Sequence, residues 1–406
     1  MNPDKKILLN VKKDFPVLVN NPNLVYLDSG ATSLKPKSVI DKLDEYYEKY
    51  GVNVNRGVYK LSYQATTEYE ETRTLTAKFL NAKEKEIVFT KGASNALNLV
   101  AQSYGMDNLK EGDEVISSEL EHHSCILPWQ NVCHHTGATL KYVELDSEGR
   151  ITVEAFKKVL SDRTKVVVLT HVSNVMGYIT PIKEIIELAH AVGAVVVVDA
   201  AQSVPHMKVD VKELDCDFLA FSAHKMFGPT GFGILYGKYK HLKNMRPIEY
   251  GGDMIDEVYK DSSTYKDAPF RFETGTPPIA EAIAFKEAIK YIESLGYENI
   301  IAHEKALLDY TMQELLKIDG ITIYNKSVET GIIAFNMTGV HPHDASTLFD
   351  ERDICLRAGH HCAQLIIKWL ETIGTLRACF YVYNDFEDCD KFIQAVKDSA
   401  EYFKEW

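Results

Sequence analysis

Between residues 87 and 237 the chain alternates short apolar segments with segments of mixed polarity. Seven of the apolar segments are rich in β-branched residues, and several are almost continuous rather than alternating with polar positions. Strands that are covered on both faces have this continuous pattern. The seven segments begin at Ile87, Glu114, Thr139, Val166, Val195, Phe218 and Gly233. They predict a sheet of seven strands.

Several of the segments between these strands have the spacing of helices. The segment PIKEIIELAHAV places Pro181 at a helix start and apolar residues three and four positions apart. Because alternating strands and helices are typical of parallel sheets, the pattern predicts an α/β domain with a mainly parallel seven-stranded sheet.

The strand pattern stops after Gly237. A helical pattern then runs from Pro277 to Leu295 and ends at Gly296, a residue type that commonly follows helices. Beyond it, another helical pattern and the segments IIAFNM, LRAGHHC and TLRACFYVYN predict antiparallel strands in a smaller α+β domain. We therefore expect a large domain over residues 21–296 and a small domain over residues 297–406. Residues 1–20 are expected to pack with the small domain.

Charge and composition restrict the class of protein. The 406 residues include 45 Lys and Arg against 58 Asp and Glu, which gives a formal net charge of −13. This charge opposes binding to nucleic acid and to anionic membranes, so neither is an expected partner. The first fifteen residues lack the apolar core of a signal peptide, and no apolar segment has membrane length. We expect a cytoplasmic protein.

The cysteines include one candidate for a reactive thiol. The seven cysteines are scattered and form no CxxC pair, so neither a disulfide scaffold nor a closed structural zinc site is expected. Cys362 ends the segment RAGHHC from Arg357 and follows two histidines. The thiolate is the reactive form of cysteine, and positive or hydrogen-bonding neighbours stabilise it. A buried, inert cysteine and a short metal-binding segment are the alternatives.

Polar residues at strand ends suggest a cofactor site. Ligands of open parallel sheets bind beyond the carboxyl ends of the strands, where Asp199 and Lys225 follow two predicted strands. These two residues alone would also fit a structural ion pair. Phosphate-binding candidates accompany them, namely Ser222 and His224 beside Lys225, and Ala93 and Ser94 at a predicted helix start. A lysine that forms a Schiff base, an acid for a pyridine nitrogen and phosphate donors together describe a pyridoxal phosphate site.

Four further polar residues are candidates. His122 follows a strand and is placed to stack on a cofactor ring and to move protons, although a lone histidine is more often structural. Gln202 and Asn174 also follow strands. Arg377 is flanked by apolar residues, so it needs either a substrate carboxylate or a buried structural ion pair.

The order of these segments resembles SufS-type (group II) cysteine desulfurases and selenocysteine lyases, which are fold type I pyridoxal phosphate enzymes of the class V aminotransferase family. The resemblance extends from Tyr26 to Phe380. The segments that carry it are YLDSGATSLKP, NRGVYKLS, EHHSCILPWQ, HVSNVMG, DAAQSVPH, SAHKMFGPTGFGILYG, FETGTPP and RAGHHCAQ.

The resemblance implies a role for each candidate. For the cofactor ring, it implies that Lys225 carries the Schiff base, His122 stacks on the ring, Asp199 pairs with the pyridine nitrogen and Gln202 contacts the phenolic oxygen. For the cofactor phosphate, it implies contacts from Ser94 with its neighbour Ala93, and from Ser222 and His224. It also implies a contact from Thr276 of the second subunit of a homodimer. For the substrate, it implies that Arg377 binds the carboxylate near Asn174 and Arg357, and that Cys362 accepts sulfur.

The implied reaction converts L-cysteine to L-alanine and leaves a persulfide on Cys362, which supplies sulfur for iron–sulfur cluster assembly. Two alternatives stay open. A selenocysteine lyase acting on L-selenocysteine would use the same site without needing Cys362. A metal- or sulfur-binding scaffold without enzymatic activity would use the HHC segment alone.

The chain departs from the family pattern at Asn55, Tyr59 and Asn95, and again at Leu365 and Ile366. These departures affect loop and dimer contacts rather than the chemical residues. The segment HPHD resembles a segment of desulfurases that deliver sulfur to a SufU-type zinc scaffold, which makes His343 a candidate ligand of the partner's zinc. A SufE-like acceptor is the alternative partner, and a plain surface histidine is the alternative reading of His343.

Overall fold

The structure is a computed structural model that describes residues 9–404. Its strands are β1 (Val25–Tyr26), β2 (Ile87–Thr90), β3 (Glu114–Ser118), β4 (Thr139–Val143), β5 (Thr164–Thr170), β6 (Val195–Asp199), β7 (Phe218–Ser222), β8 (Gly233–Gly237), β9 (Ile255–Val258), β10 (Ser263–Tyr265), β11 (Ile321–Ile323), β12 (Ile332–Met337), β13 (Ile354–Cys355), β14 (Arg357–Gly359) and β15 (Thr375–Cys379).

Its helices are α1 (Pro16–Asn20), α2 (Lys37–Lys49), α3 (Lys60–Leu80), α4 (Ala93–Val100), α5 (Met106–Asn108), α6 (His123–Thr136), α7 (Val153–Val159), α8 (Ile182–Ala191), α9 (Val211–Leu214), α10 (Tyr239–Leu242), α11 (Ile279–Leu295), α12 (Tyr297–Leu315), α13 (Pro342–Asp350), α14 (Gln364–Trp369) and α15 (Phe386–Lys404). A π-helical segment, Ala101–Gly105, joins α4 to α5. None of these helices is both long enough and apolar enough to cross a bilayer.

The large sheet contains seven strands in the order β2-β8-β7-β6-β5-β3-β4. Each of the seven apolar segments forms one of these strands, so the predicted mainly parallel sheet is confirmed; β8 alone runs antiparallel to its neighbours. Alternate valines of β6 belong to two hydrophobic clusters, with Val196 and Val198 in one and Val195 and Val197 in the other. Because successive strand residues point to opposite faces, the sheet is covered on both sides.

A second sheet of four antiparallel strands, in the order β11-β12-β15-β14, forms from the C-terminal third of the chain. The helices α11 and α12 meet at Gly296, which has φ 77°. This is where we expect the domain boundary, which stays a prediction. Of the segment expected to join the small domain, residues 1–8, together with the C-terminal residues 405–406, lie outside the described residues.

The two sheets determine where a ligand is able to bind. Strands β2, β3, β5, β6 and β7 point the same way, so their carboxyl ends share one edge. Strands β14 and β15 of the small sheet contribute residues to the same cavity as that edge.

Candidate active site

A cavity of about 400 Å³ lies between the carboxyl edge of the large sheet and the small sheet. It brings together all but two of the residues singled out from the sequence, namely Ala93, Ser94, His122, Asn174, Asp199, Gln202, Ser222, His224, Lys225, Arg357, Cys362 and Arg377. Thr276 and His343 do not line it. The cavity therefore combines the predicted cofactor residues with the predicted substrate residues.

Lys225 and Asp199 form the charged centre of the cavity. Lys225 ends a short 3₁₀ turn after β7, and Asp199 is the last residue of β6. Burial lowers the pKa of Lys225 to about 8, although the Asp199 carboxylate acts in the opposite direction. Burial also raises the pKa of Asp199, against the effects of the Ala201 N–H and Lys225. Near neutral pH, Lys225 therefore has an accessible neutral amine form.

His122 caps the N-terminus of α6. Its Nδ1 accepts a hydrogen bond from Ser124 N at 3.1 Å. Burial, followed by the positive charge of Lys225, lowers the pKa of His122 to about 4. The ring is therefore neutral at pH 7, and because Nδ1 is an acceptor, its proton is on Nε2.

The start of α4 provides a candidate phosphate site. Ala93 N donates to Ser222 Oγ at 2.8 Å, and Ser94 Oγ contacts Ser124 Oγ at 2.5 Å. A Cβ on Gly233 would lie 2.4 Å from Gly92 Cα, so β8 packs directly against the residue that precedes the helix. The helix N-terminus is thereby held at the cavity with its free N–H groups available to an anion.

One buried polar atom of Gln202 lacks a hydrogen-bond partner in the described structure. Its Nε2 donates to Gly30 O at 2.7 Å, whereas its buried Oε1 has no hydrogen-bond partner in the described structure. Buried polar atoms are normally paired. An unpaired side-chain amide atom on a residue that lines a cavity indicates that the cavity receives a polar ligand.

Cys362 lies in a tight loop between β14 and α14. All seven cysteines are among the described residues, and Cys362 is the one that is exposed. His361 and Cys362 have φ values of 54° and 55°, a left-handed conformation that non-glycine residues rarely adopt. Two hydrogen bonds hold the loop, from His123 N to Cys362 O at 2.7 Å and from Asn174 Nδ2 to His361 O at 2.8 Å.

Arg377 lies on β15 and is 2% exposed. Its Nη1 donates to Asn174 O at 2.8 Å and its Nη2 contacts Asp28 Oδ1 at 3.3 Å, while its buried Nε has no hydrogen-bond partner in the described structure. Arg357 is about half exposed and donates to Asp28 through Nη2 at 2.9 Å. Arg377 thus lines the cavity with one of its donors, Nε, left without a partner in the described structure.

Three residues near the cavity were not singled out in the sequence. Asp28 lies within the quoted segment YLDSGATS, where its position after a short strand was the available signal. His361 lines the cavity, and burial lowers its pKa to about 2. Lys35 donates to His224 O at 3.0 Å, and burial lowers its pKa to about 8. No sequence pattern distinguishes Lys35 from a surface lysine.

The remaining two predicted residues are exposed at other places. Thr276 lies in the loop before α11. His343 is the second residue of α13 and its ring stacks on that of His341, the N-cap, while a Cβ on Gly359 would lie 3.7 Å from His343 Nε2. Among residues 9–404, no group of three or more His, Cys, Asp or Glu side chains is arranged to hold a metal ion.

The residues of the cavity fit pyridoxal 5′-phosphate. The amine of Lys225 and the carboxylate of Asp199 line the same cavity as the N-terminus of α4, and the buried Oε1 of Gln202 lacks a partner there. This is the donor set that such a cofactor requires. The cofactor would be held by Lys225, by Asp199 at the ring, and by Ser94 and Ser222 at the phosphate.

Known proteins share both the sequence and the fold of this chain. Residues 25–392 match the family model of class-V aminotransferases. A probable cysteine desulfurase from Halalkalibacterium halodurans is 51% identical over 97% of this chain and 98% of its own length. Another, from Staphylococcus epidermidis, is 49% identical over 97% of each chain.

Solved structures agree. The cysteine desulfurase CsdA from Escherichia coli has a TM-score of 0.91 at 37% identity, over 96% of this chain and 98% of its own. A cysteine desulfurase from Thermococcus onnurineus has a TM-score of 0.92 at 42% identity, over 96% of this chain and 97% of its own. The chain belongs to the class-V aminotransferase family and is a cysteine desulfurase with pyridoxal phosphate as its cofactor.

Proposed function

We propose that this cysteine desulfurase takes sulfur from L-cysteine onto Cys362, which becomes a persulfide, and releases L-alanine. The observation that carries this proposal is that the exposed cysteine of the chain lines the same cavity as Lys225. The reaction removes a proton from the substrate Cα and breaks the bond between Cβ and sulfur. It therefore needs an amine base for the proton and a thiol acceptor for the sulfur.

The sulfur transfer balances without an added oxidant or reductant. The Cys362 thiolate attacks the substrate sulfur, so that an S–S bond forms while the bond between Cβ and sulfur breaks. The electron pair of the broken bond goes to Cβ, which takes up a proton. The products are L-alanine and a persulfide on Cys362.

Proton transfer at the substrate Cα is assigned to Lys225. When bound, pyridoxal phosphate supplies a conjugated ring that accepts the electrons released at Cα. Because the pKa of Lys225 is lowered to about 8, its neutral amine is available as a base near neutral pH. The neutral His122 ring, with its proton on Nε2, offers a hydrogen-bond donor within the cavity.

Substrate binding is assigned to the small sheet. The unpartnered Nε of Arg377 offers a charge-assisted donor to the substrate carboxylate. Asn174 supports this arrangement because its carbonyl accepts from Arg377 and its amide holds the loop of Cys362. Substrate and acceptor thiol are therefore positioned by one connected set of hydrogen bonds.

Mass spectrometry of the holoenzyme after incubation with L-cysteine tests the proposal. We expect one added sulfur atom on Cys362 together with released alanine, and neither product in Cys362→Ala. Cys355→Ala is the matched control, because Cys355 is the half-buried cysteine nearest in sequence, and it should behave as the unmodified enzyme. Alanine release without a modified Cys362 would contradict the proposal.

We further propose that the enzyme is a cytoplasmic homodimer in which Thr276 reaches the cofactor phosphate of the second subunit. The exposure of Thr276 outside its own cavity supports this role, and seven free cysteines suit a reducing compartment. The sulfur would then pass to an acceptor protein of iron–sulfur cluster assembly.

For that acceptor we propose a SufU-type zinc scaffold rather than a SufE-like protein. The position of His343 beside Gly359, three residues before Cys362, supports this choice because a zinc ion bound there would lie near the sulfur donor. Turnover with a SufU-type protein should fall in His343→Ala and stay unchanged in His135→Ala, an exposed histidine of α6. Equal stimulation of both variants would exclude His343 as a zinc ligand.

A further inference from the structure

Two arginines line the active-site cavity on neighbouring strands. Arg357 of β14 and Arg377 of β15 are direct partners in the antiparallel ladder. Like charges at directly opposite positions destabilise a sheet. Asp28 lies against both guanidinium groups, 2.9 Å from Arg357 Nη2 and 3.3 Å from Arg377 Nη2, and offsets this repulsion.

Asp28 does not serve the two arginines equally. Arg357 donates through Nε to both carboxylate oxygens at 3.2 Å and through Nη2 to one of them at 2.9 Å. Arg377 reaches Asp28 only through Nη2, at 3.3 Å, and its Nε has no partner. Asp28 therefore pairs mainly with Arg357, through three contacts, and with Arg377 through one.

The place of Arg357 gives this pairing a consequence for the substrate. Arg357 precedes Cys362 by five residues, and both line the cavity. An amino acid whose carboxylate is bound by Arg377 extends its side chain towards Cys362, where sulfur is transferred. A free guanidinium there would attract an anionic side chain.

We propose that Asp28 is a specificity-determining residue, which by neutralising Arg357 makes the cavity select amino acids with an uncharged side chain over dicarboxylic amino acids. This inference rests on the proposed binding of the substrate carboxylate by Arg377. Asp28 acts through the charge of Arg357 and not by touching the reacting atoms.

Competitive inhibition of the holoenzyme by L-aspartate and L-alanine tests the inference. Both ligands carry the carboxylate that Arg377 binds, but only L-aspartate has an anionic side chain. We define the selectivity as the inhibition constant of L-aspartate divided by that of L-alanine. Asp28→Asn keeps an acceptor oxygen for Arg357 but removes the charge, so the selectivity should fall about tenfold.

Two further variants separate charge from structure. Arg357→Gln leaves the Asp28 carboxylate with its single 3.3 Å contact to Arg377 Nη2, so its negative charge is less compensated and the selectivity should rise. The double variant, with both Asp28→Asn and Arg357→Gln, replaces a neutral ion pair by a neutral amide pair, and its selectivity should return to within about twofold of the unmodified enzyme. The double variant leaves no unpaired charge at residues 28 and 357, and the amide oxygen at residue 28 still accepts from Arg377 Nη2, so it decides the question if Asp28→Asn alone does not fold. The loss of the Asp28 charge beside Arg377 affects the carboxylate that both ligands share and therefore cancels in the selectivity.

An unchanged selectivity in Asp28→Asn would overturn the inference. So would a double variant whose selectivity rises as in Arg357→Gln alone, because Arg357 would then act on the ligand directly. Arg377→Lys distinguishes a failure of the proposed function: it should weaken both ligands equally, and unchanged binding of both would refute the carboxylate assignment without bearing on the charge of Asp28.

Discussion

Gly30 shows how closely the backbone approaches Arg377, the arginine that we propose binds the substrate carboxylate. A Cβ at this position would lie 2.7 Å from Cys379 Sγ and 3.1 Å from Arg377 Cζ. Both neighbours are buried, so an added methyl group has to displace one of them, and Arg377 can move towards the cavity that it lines. The absence of a side chain at residue 30 is therefore part of what positions Arg377.

Gly30→Ala should accordingly weaken binding of L-cysteine. The displaced guanidinium no longer meets the substrate carboxylate in the required geometry, so KM should rise by about tenfold or more while the cofactor still binds. Steady-state kinetics measure the effect. Gly252→Ala is the control, since a Cβ there meets nothing within 4 Å, and its KM should not change. An unchanged KM in Gly30→Ala would show that Arg377 does not depend on this contact.

At the same scale, functional residues at strand ends are easier to predict from the sequence than residues whose role depends on a contact with a distant part of the chain. Asp199 and Lys225 follow long apolar strands, so their position at the ligand edge is a direct consequence of sheet geometry. Asp28 follows a strand of two residues, and the role of its carboxylate depends on a hydrogen bond from Arg357, which is 329 positions away. Such a long-range pairing has no local signal.

At the scale of elements, Asp217, the residue before β7, connects to three other elements of the large domain. It is 1% exposed and accepts hydrogen bonds from Val196 N on β6, from His190 on α8 and from His241 on α10. Burial on its own raises the pKa of Asp217, but these hydrogen bonds and the charge of Lys238 outweigh it and depress the pKa well below the usual value.

The depressed pKa gives a defined pH dependence. A carboxyl group whose pKa is lower in the folded state stabilises the protein fully above its unfolded pKa, about 3.9, and loses that contribution progressively as the pH falls from there towards the folded pKa. Asp217→Asn should therefore reduce the free energy of unfolding by about 3 kcal/mol at pH 7, and because the folded pKa is well below the usual value, the deficit should become clearly smaller only at about pH 2.5. Urea unfolding at the two pH values measures it.

Asp215→Asn is the matched control for this experiment. Asp215 contacts His190 and Lys238 as well, but its side chain is 63% exposed. Exposed ion pairs contribute little, so this variant should lose less than about 1 kcal/mol at pH 7. Equal losses in both variants, or a deficit of Asp217→Asn that is no smaller at about pH 2.5 than at pH 7, would contradict the role given to Asp217.

The strands of the large sheet could be predicted from the sequence, whereas the short strands near the cavity could not. The seven strands of the large sheet follow from continuous apolar segments, because a strand buried on both faces admits few polar residues. The short strands β1, β13 and β14 carry two or three residues each, too few for a periodic pattern. It is these short strands that carry or precede Asp28 and Arg357, which explains why their pairing was not predicted.

At the scale of the whole molecule, Phe15 connects the N-terminal segment to the rest of the chain. Its ring is fully buried and lies 5.8 Å from Phe227, 5.8 Å from Tyr291 and 4.8 Å from Tyr383. Phe227 and Tyr291 belong to the expected large domain, whereas Tyr383 belongs to the expected small domain. The N-terminal segment thus contacts both expected domains, and Lys12 adds ion pairs to Asp385 and Asp388 beside α15.

Removing the Phe15 ring should therefore weaken the packing of the N-terminal segment against both expected domains. Phe15→Ala should lower the free energy of unfolding by about 3 to 5 kcal/mol, because the variant leaves a cavity among three aromatic rings that pack closely. Val19→Ala, at a 58% exposed position of the adjoining helix α1, is the matched control and should change stability by less than about 0.5 kcal/mol. Urea unfolding of the holoenzyme measures both variants. If Phe15→Ala were no less stable than Val19→Ala, the N-terminal segment would not contribute to the common core; a loss confined to a separate, earlier transition would show that the segment supports one domain only.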